Sequence, residues 1–223
     1  MMELYTDSSP NGFKATIALA ELGLPYRLRH VRIEQGEHRL PAFLALNPHG
    51  RIPVLVDHDT GITVFESAAI LLYLAEKTGR LLPAQPQQRW AAISWLQFHA
   101  ASMGPMLGQR VHFEIAQGGA NAAATAHFRQ LSEAALATMD GRLAGNAYLA
   151  GDDYSIADMA IYPWAKLWKM QQQKLEDFPN MAAWLERIDA RPAVQRAYAL
   201  VEQVNADPQA LLTAEARRLL FGQ

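Results

Sequence analysis

At 223 residues, half of them apolar, the chain has the size and composition of a globular protein of one large domain or two small ones. Its formal net charge of −2 argues against nucleic acid or an anionic membrane as a partner, and no apolar run is long enough to span a bilayer. There is no cysteine, which excludes structural disulfides, thiolate metal sites and a thiol redox centre of the protein's own, so any thiol chemistry must take its thiol from a ligand.

The first element is a short strand at Leu4-Tyr5, reached without a charged and then apolar leader, so a cytoplasmic location is expected. Residues 10–22 form a helix: Pro10 suits its first turn, Phe13, Ile17 and Ala20 share one face, and Gly23 stops it. A second strand runs from Tyr26 to Val31, and a short helix from Pro41 to Leu46 ends at Asn47-Pro48. Val54-Leu55-Val56 and Ile62-Thr63-Val64 flank Asp57-His58-Asp59-Thr60-Gly61 as a hairpin. A helix follows from Glu66 to Thr78, with Ile70, Leu71 and Leu74 inward and Gly79 as its stop. The order βαβαββα is that of a thioredoxin-like domain, placed at 1–81. After the linker Leu82-Pro83-Ala84-Gln85-Pro86 no strand signal recurs. Helical patterns over 87–117, 122–144, 155–171, 179–190 and 192–205, with an amphipathic tail at 208–221, make 87–223 an all-helical domain. Ser155 and Asp158 are spaced to satisfy each other's backbone N–H groups as a capping box, a folding signal that needs no ligand.

Arg51-Ile52-Pro53 and Phe65-Glu66-Ser67 are the stretches with chemical content. Pro53 has no N–H and belongs at the mouth of a strand, where an Ile-Pro bond is a candidate cis peptide. That arrangement leaves the backbone of Ile52 able to pair with an extended ligand. Glu66-Ser67 sets a carboxylate and a hydroxyl beside a helix N-terminus, which favours an anion. Together they can grip a small peptide: its backbone at Ile52, its carboxylate at Ser67 and its ammonium at Glu66.

The thioredoxin-like order, the run Asn47-Pro48-His49-Gly50-Arg51-Ile52-Pro53, the run Phe65-Glu66-Ser67-Ala68-Ala69-Ile70 and Tyr154-Ser155-Ile156-Ala157-Asp158 together resemble the cytosolic glutathione transferase superfamily, over nearly the whole chain. Ser9-Pro10-Asn11-Gly12 and Gly104-Pro105-Met106-Leu107-Gly108-Gln109 are similar to the bacterial nu class, whose members reduce disulfide bonds with glutathione. The resemblance implies glutathione as cosubstrate and a homodimer with one site per subunit. It implies that Ser9 and Asn11 donate hydrogen bonds to the glutathione thiolate, with Ser9 standing where the class usually has Thr. Thiolates are favoured near helix N-termini and donors. Both residues are also good helix caps, which is the alternative reading for them. Tyr5 and Ser8 are rival activators; Tyr5 reads as sheet packing. Ile52 and Pro53 would meet the cysteinyl part, Glu66 and Ser67 the γ-glutamyl end, and His38 and Arg51 the glycyl carboxylate.

Met106, Gln109, His112 and Phe113 recur at helical spacing and are the candidates for a second-substrate pocket, with core and dimer packing as the alternative for the methionine. No metal site is expected, because the histidines of the first domain lack a ligand spacing. Three functions stay open: disulfide-bond reduction, conjugation of glutathione to an electrophile, and a non-enzymatic glutathione-binding regulator on the same fold.

Overall fold

The computed structural model describes residues 1–204, which pack as two units, Met1–Thr78 with the helix that starts at Pro192, and Gly79–Arg191. The first holds a four-stranded sheet of β1 (Met2–Thr6), β2 (Tyr26–His30), β3 (Val54–Asp57) and β4 (Ile62–Phe65) in the order β2-β1-β3-β4. β1 runs parallel to β2 and antiparallel to β3, and β4 closes the hairpin at the edge. α1 (Pro10–Leu22) makes the crossover from β1 to β2, and α3 (Ser67–Thr78) packs beside it. Side chains alternate across the sheet. Leu4 and Leu55, opposite each other in the ladder, are fully buried, while Tyr5 and Val54 point to the other face, where Val31 and Phe43 complete a small core. Phe43 comes from α2 (Pro41–Leu44), which ends two residues before the sequence pattern predicts.

The sequence division puts 87–223 wholly in the helical domain, but α9 (Pro192–Val204) packs with the sheet unit. It lies along α1, with Tyr198 stacked on Phe13 at 3.9 Å between ring centroids. The unpaired face of α1 is what draws it there: Ala15, Ile17, Ala18 and Leu19 are buried together with Phe13, so α1 has apolar surface left over after covering the sheet. The predicted tail at 208–221 lies outside the described residues.

In the helical unit the predicted 87–117 helix is one helical run over 86–116, but not a uniform one. α4 (Pro86–Phe98) and α5 (Gly104–Arg110) are joined by wider π-type turns at His99–Met103, which recur at Val111–Ala116. Pro105 supplies the cause of the first: it has no N–H to give to the carbonyl four residues back, and its ring would collide there. The widened turn lets Gly104 N–H bond His99 O instead. α6 (Ala122–Leu143), α7 (Ile156–Ala165) and α8 (Pro179–Asp189) complete the unit. α7 stops at Ala165, six residues before the predicted end, and turns carry the chain to α8.

At the centre of this unit the capping box is made as the sequence predicts. Asp158 is fully buried and accepts from Leu149 N, Ser155 N, Ser155 Oγ and Trp184 Nε1, all at 2.9–3.0 Å. Burial pushes its carboxyl up, against the pull of these four donors.

Candidate functional site

The sheet unit carries a cavity of about 340 Å³ at the ends of β1 and β3, within the size range of small-molecule sites. Ser9, Asn11, His38, Arg51, Ile52, Glu66 and Ser67 all line it. Seven residues spread between positions 9 and 67 of the sequence are thus brought to one place by the β1–α1 turn, the loops before β3 and the start of α3.

The β1–α1 turn places the first pair. Ser9 caps α1: its Oγ accepts from Gly12 N at 3.1 Å. This satisfies the capping alternative without cancelling the other role, because a hydroxyl accepts and donates with different parts. The Ser9 proton has no partner among the described residues. The turn is tight enough that a Cβ on Gly12 would lie 2.4 Å from Asp7 O and from Thr6 Oγ1, so glycine is required there on space alone. Tyr5 is occupied elsewhere, donating to Glu3 Oε2 at 3.1 Å, and its ring joins the small core with Val54. Ser8 uses its backbone N–H on Asp7 Oδ1.

The approach to β3 places the second group. The Ile52–Pro53 bond is cis and Pro53 is buried. Ile52 stands outside the ladder, and its N–H and C=O have no partner among the described residues. They are an open strand edge facing the cavity, the geometry that takes up an extended peptide. Asn47 braces the loop behind it: buried, it donates from Nδ2 to Arg51 O at 2.7 Å and accepts on Oδ1 from His49 N at 3.0 Å. Gly50 has φ +64°, and a Cβ there would crowd His38 O and Leu44 Cδ2 at 3.1 Å, so the loop of Arg51 seats directly on that of His38. His38 is buried with Nδ1 unpartnered. Burial, then the charges of Arg39 and Arg51, lower its pKa, so the ring is neutral at pH 7. Two guanidinium groups and an unsatisfied ring nitrogen make this end a site for an anion.

The start of α3 places the third. Glu66 has φ +70°, a left-handed conformation uncommon for a residue of its kind, and its C=O accepts from Ile70 N. The Glu66 carboxylate is exposed at the rim, whereas Ser67 is buried at the first position of the helix. Behind both lies Lys14, which sequence reading did not select. Its Nζ donates to Asn11 Oδ1 at 2.8 Å and to Ser67 Oγ at 3.3 Å. Only 3 % of it is exposed, and burial lowers its pKa to about 7, with Glu66 pulling the other way. Lys14 shares a helix face with Asn11 and Glu21, an ordinary polar stripe, so nothing local in the sequence marks it as buried. Ile33, Arg39, Asn47, His49 and Gly50 also line the cavity; Asn47, His49 and Gly50 stand in the run that carries the family resemblance, while nothing in the local pattern of Ile33 and Arg39 separates them from ordinary loop residues.

Met106, Gln109, His112 and Phe113 belong to the helical unit. Met106 and Gln109 are on α5, half-buried and exposed respectively. His112 Nε2 lies 3.1 Å from Gln117 Nε2, and Phe113 meets the His112 ring edge-on and stacks on Phe128. Within the same unit a second cavity, about 580 Å³, has Arg110, Glu114, Arg129 and Glu133 on its wall. Their charges pair with one another, Arg110 to both glutamates and Arg129 to Glu114. Among the described residues no group of histidines and carboxylates is arranged to hold a metal ion.

Two family models match this chain: the glutathione S-transferase N-terminal domain over residues 8–77 and the C-terminal domain over residues 102–192. The disulfide-bond oxidoreductase YfcG of Escherichia coli is 40% identical over 202 residues, an alignment that spans 88% of this chain and 94% of that protein. The chain belongs to the glutathione S-transferase family. Solved members of the family have the same fold. A glutathione transferase of Burkholderia graminis, with two glutathione molecules bound per subunit, is 36% identical with a TM-score of 0.83, over 88% of this chain and 87% of that one. One from Pseudomonas putida, with one glutathione disulfide bound per subunit, is 32% identical with a TM-score of 0.83, over 88% and 90%.

Proposed function

We propose that this protein is a glutathione-dependent disulfide-bond reductase. The observation that carries the reading is the single cavity that joins an open strand edge at Ile52, a helix N-terminus at Ser67 and two donors at Ser9 and Asn11, in a chain without cysteine. The ligand's γ-glutamyl carboxylate sits at Ser67 and the N-terminus of α3, its ammonium at Glu66, and its cysteinyl backbone against Ile52 ahead of Pro53. The glycyl carboxylate goes to the end built by His38 and Arg51. This brings the sulfur to Ser9 and Asn11, whose hydroxyl and amide protons lower the thiol's pKa by stabilising the thiolate.

The reaction is two successive exchanges. A glutathione thiolate attacks one sulfur of the substrate disulfide, forming a mixed disulfide and expelling the first substrate thiolate. A second glutathione thiolate attacks the glutathione sulfur of that mixed disulfide, giving glutathione disulfide and releasing the second substrate thiolate. Two glutathiones lose two electrons, which reduce the substrate to two thiols, and the expelled thiolates take up the protons that glutathione gave. With no cysteine in the chain, both attacking sulfurs come from glutathione. The two relatives described above hold two glutathiones and one glutathione disulfide, the states before and after such a reaction, and this supports the reading.

Met106, Gln109, His112 and Phe113 remain the candidates for contacting the substrate beyond the sulfur. We extend the reading to a homodimer working in the cytoplasm. A reaction fed by reduced glutathione suits a reducing compartment. Light scattering on the purified protein tests the dimer, and a monomer at working concentration would sink it.

The deciding experiment compares two turnovers on one sample: reduction of hydroxyethyl disulfide with glutathione, and conjugation of glutathione to an aromatic halide. Fast reduction with weak conjugation is the expected result. The reverse makes the protein a conjugating transferase, and neither activity, with glutathione still bound, makes it a regulator.

A further inference from the structure

Long charged side chains are almost never fully buried without a reason. Lys14 is buried in the sheet unit, on α1, one helical turn after Asn11 and across from the first residue of α3. A well-packed apolar residue at such a place generally costs less than a charge taken out of water. Its hydrogen bonds to Asn11 and Ser67 indicate what the charge does instead.

An ammonium has donors and no acceptor, while an amide has an accepting oxygen on one side and donating N–H groups on the other. Lys14 donates to Asn11 Oδ1, so that oxygen is turned toward α1 and the Asn11 N–H₂ is turned away from it. Lys14 also donates to Ser67 Oγ, which leaves the single Ser67 proton to be given in another direction. Asn11 and Ser67 both line the cavity, and Lys14 does not. One cation behind the wall therefore sets the donor direction of two groups in the wall.

We propose that Lys14 is a positioning residue: its buried ammonium orients the Asn11 amide to donate to the glutathione sulfur and the Ser67 hydroxyl to donate to the γ-glutamyl carboxylate, so that one charge prepares the site at both ends of the ligand. The inference rests on the reading of this cavity as a glutathione site. It also explains how a lysine of depressed pKa keeps its proton in the complex. The incoming carboxylate and thiolate act on it as Glu66 does, in the direction that favours the charged form.

The test uses the full-length protein with S-methylglutathione as the binding probe, and with glutathione for turnover and for the ultraviolet absorbance of the bound thiolate. Lys14→Met keeps the length of the side chain and removes the charge; Lys14→Arg restores a charge. The methionine variant is expected to bind S-methylglutathione about tenfold more weakly and to lose kcat by about tenfold or more, the loss of a charge-assisted orientation at each end. The thiolate absorbance should fall with kcat, and the arginine variant should recover part of both. Asn11→Asp serves as an independent variant that does not depend on how Lys14→Met folds. It keeps an acceptor for Lys14 and loses the N–H₂, so roughly 10²-fold of kcat and the thiolate signal should go with it, as when a donor to a reacting anion is removed.

Wild-type thiolate absorbance and kcat in Lys14→Met, or a retained thiolate signal in Asn11→Asp, would overturn the role assigned to Lys14 while leaving glutathione binding intact. A parent protein that fails to bind S-methylglutathione at all would instead remove the reading of the cavity, and the inference with it.

Discussion

Two polar clusters at helix starts, one in each unit, use nearly the same side chains to opposite ends. At α7, Ser155 Oγ accepts from Ala157 N and donates to Asp158, and Asp158 accepts from four donors. At α1, Ser9 Oγ also caps its helix, accepting from Gly12 N, but its proton is left over. Asn11 and Ser67 accept from Lys14 and line a cavity, and the N–H and C=O of Ile52 beside them have no partner among the described residues. Buried polar groups are almost always satisfied, so the difference between the clusters is one of saturation and not of residue type. The closed cluster holds the fold together, while the open one has hydrogen-bonding capacity set aside for something not part of the chain.

Breaking the closed cluster should have the largest effect. Asp158→Ala strips four buried donors of their acceptor and is expected to cost about 3–5 kcal/mol of stability, read as a drop in the denaturant midpoint. Turnover per folded molecule should stay near the parent's; a turnover loss without a stability loss would mean that the two clusters do not differ as argued. Asn11→Ala comes next and reverses the pattern. It should lower kcat by roughly 10²-fold while leaving the unfolding curve and the affinity for glutathione nearly unchanged, because a donor to the thiolate matters most where charge develops. Equal losses in kcat and affinity would count against that role. Ser67→Ala is smaller, about a tenfold weaker affinity for glutathione, the worth of one hydrogen bond to a charged group. An unchanged affinity would put the γ-glutamyl end elsewhere.

The smallest effect asks whether saturation, and not the unit a cluster belongs to, is what matters. Asp57 in the sheet unit is a saturated centre, bonded by Tyr73 Oη, Asp59 N and Lys77 Nζ. Burial raises its pKa, but the Lys77 and Tyr73 bonds outweigh this and bring it down to about 2. A depressed carboxylate contributes stability above its unfolded pKa and loses it as pH falls through the folded value. Asp57→Asn is therefore expected to destabilise the protein by about 1 kcal/mol at neutral pH, with parent and variant converging as pH falls from about 4 toward 2. Curves that stay parallel through that window would show that the charge on Asp57 does not contribute.

Much of this was legible in the chain itself, for identifiable reasons. Gly23, Gly61 and Gly79 punctuate α1, the hairpin and α3, and the pre-strand Pro53 announces the cis bond that the structure has there, whereas the left-handed Glu66 stands where the sequence pattern predicts the first residue of a regular helix. Ser155 and Asp158 could be paired because their partners are three residues apart. Three things were out of reach, each because it depends on distant chain. Lys14 meets Ser67 fifty-three residues away, and its neighbours on α1 do not point to that contact. The packing of α9 on α1 joins the two ends of the described chain. On the 86–116 run Gln109 is exposed and Arg110 is only 2 % exposed, because Arg110 pairs with Glu133, twenty-three residues further on.

The absence of cysteine has a consequence for how such a protein behaves through an oxidative episode. An enzyme that carries its own reactive thiol can be caught half-way through its cycle as a mixed disulfide or a sulfenic acid, and its activity then records past exposure. This chain has no thiol in which such a record could be kept. In the proposed reaction both sulfurs come from glutathione, so fresh reduced glutathione restarts the cycle with no protein thiol to be reduced first.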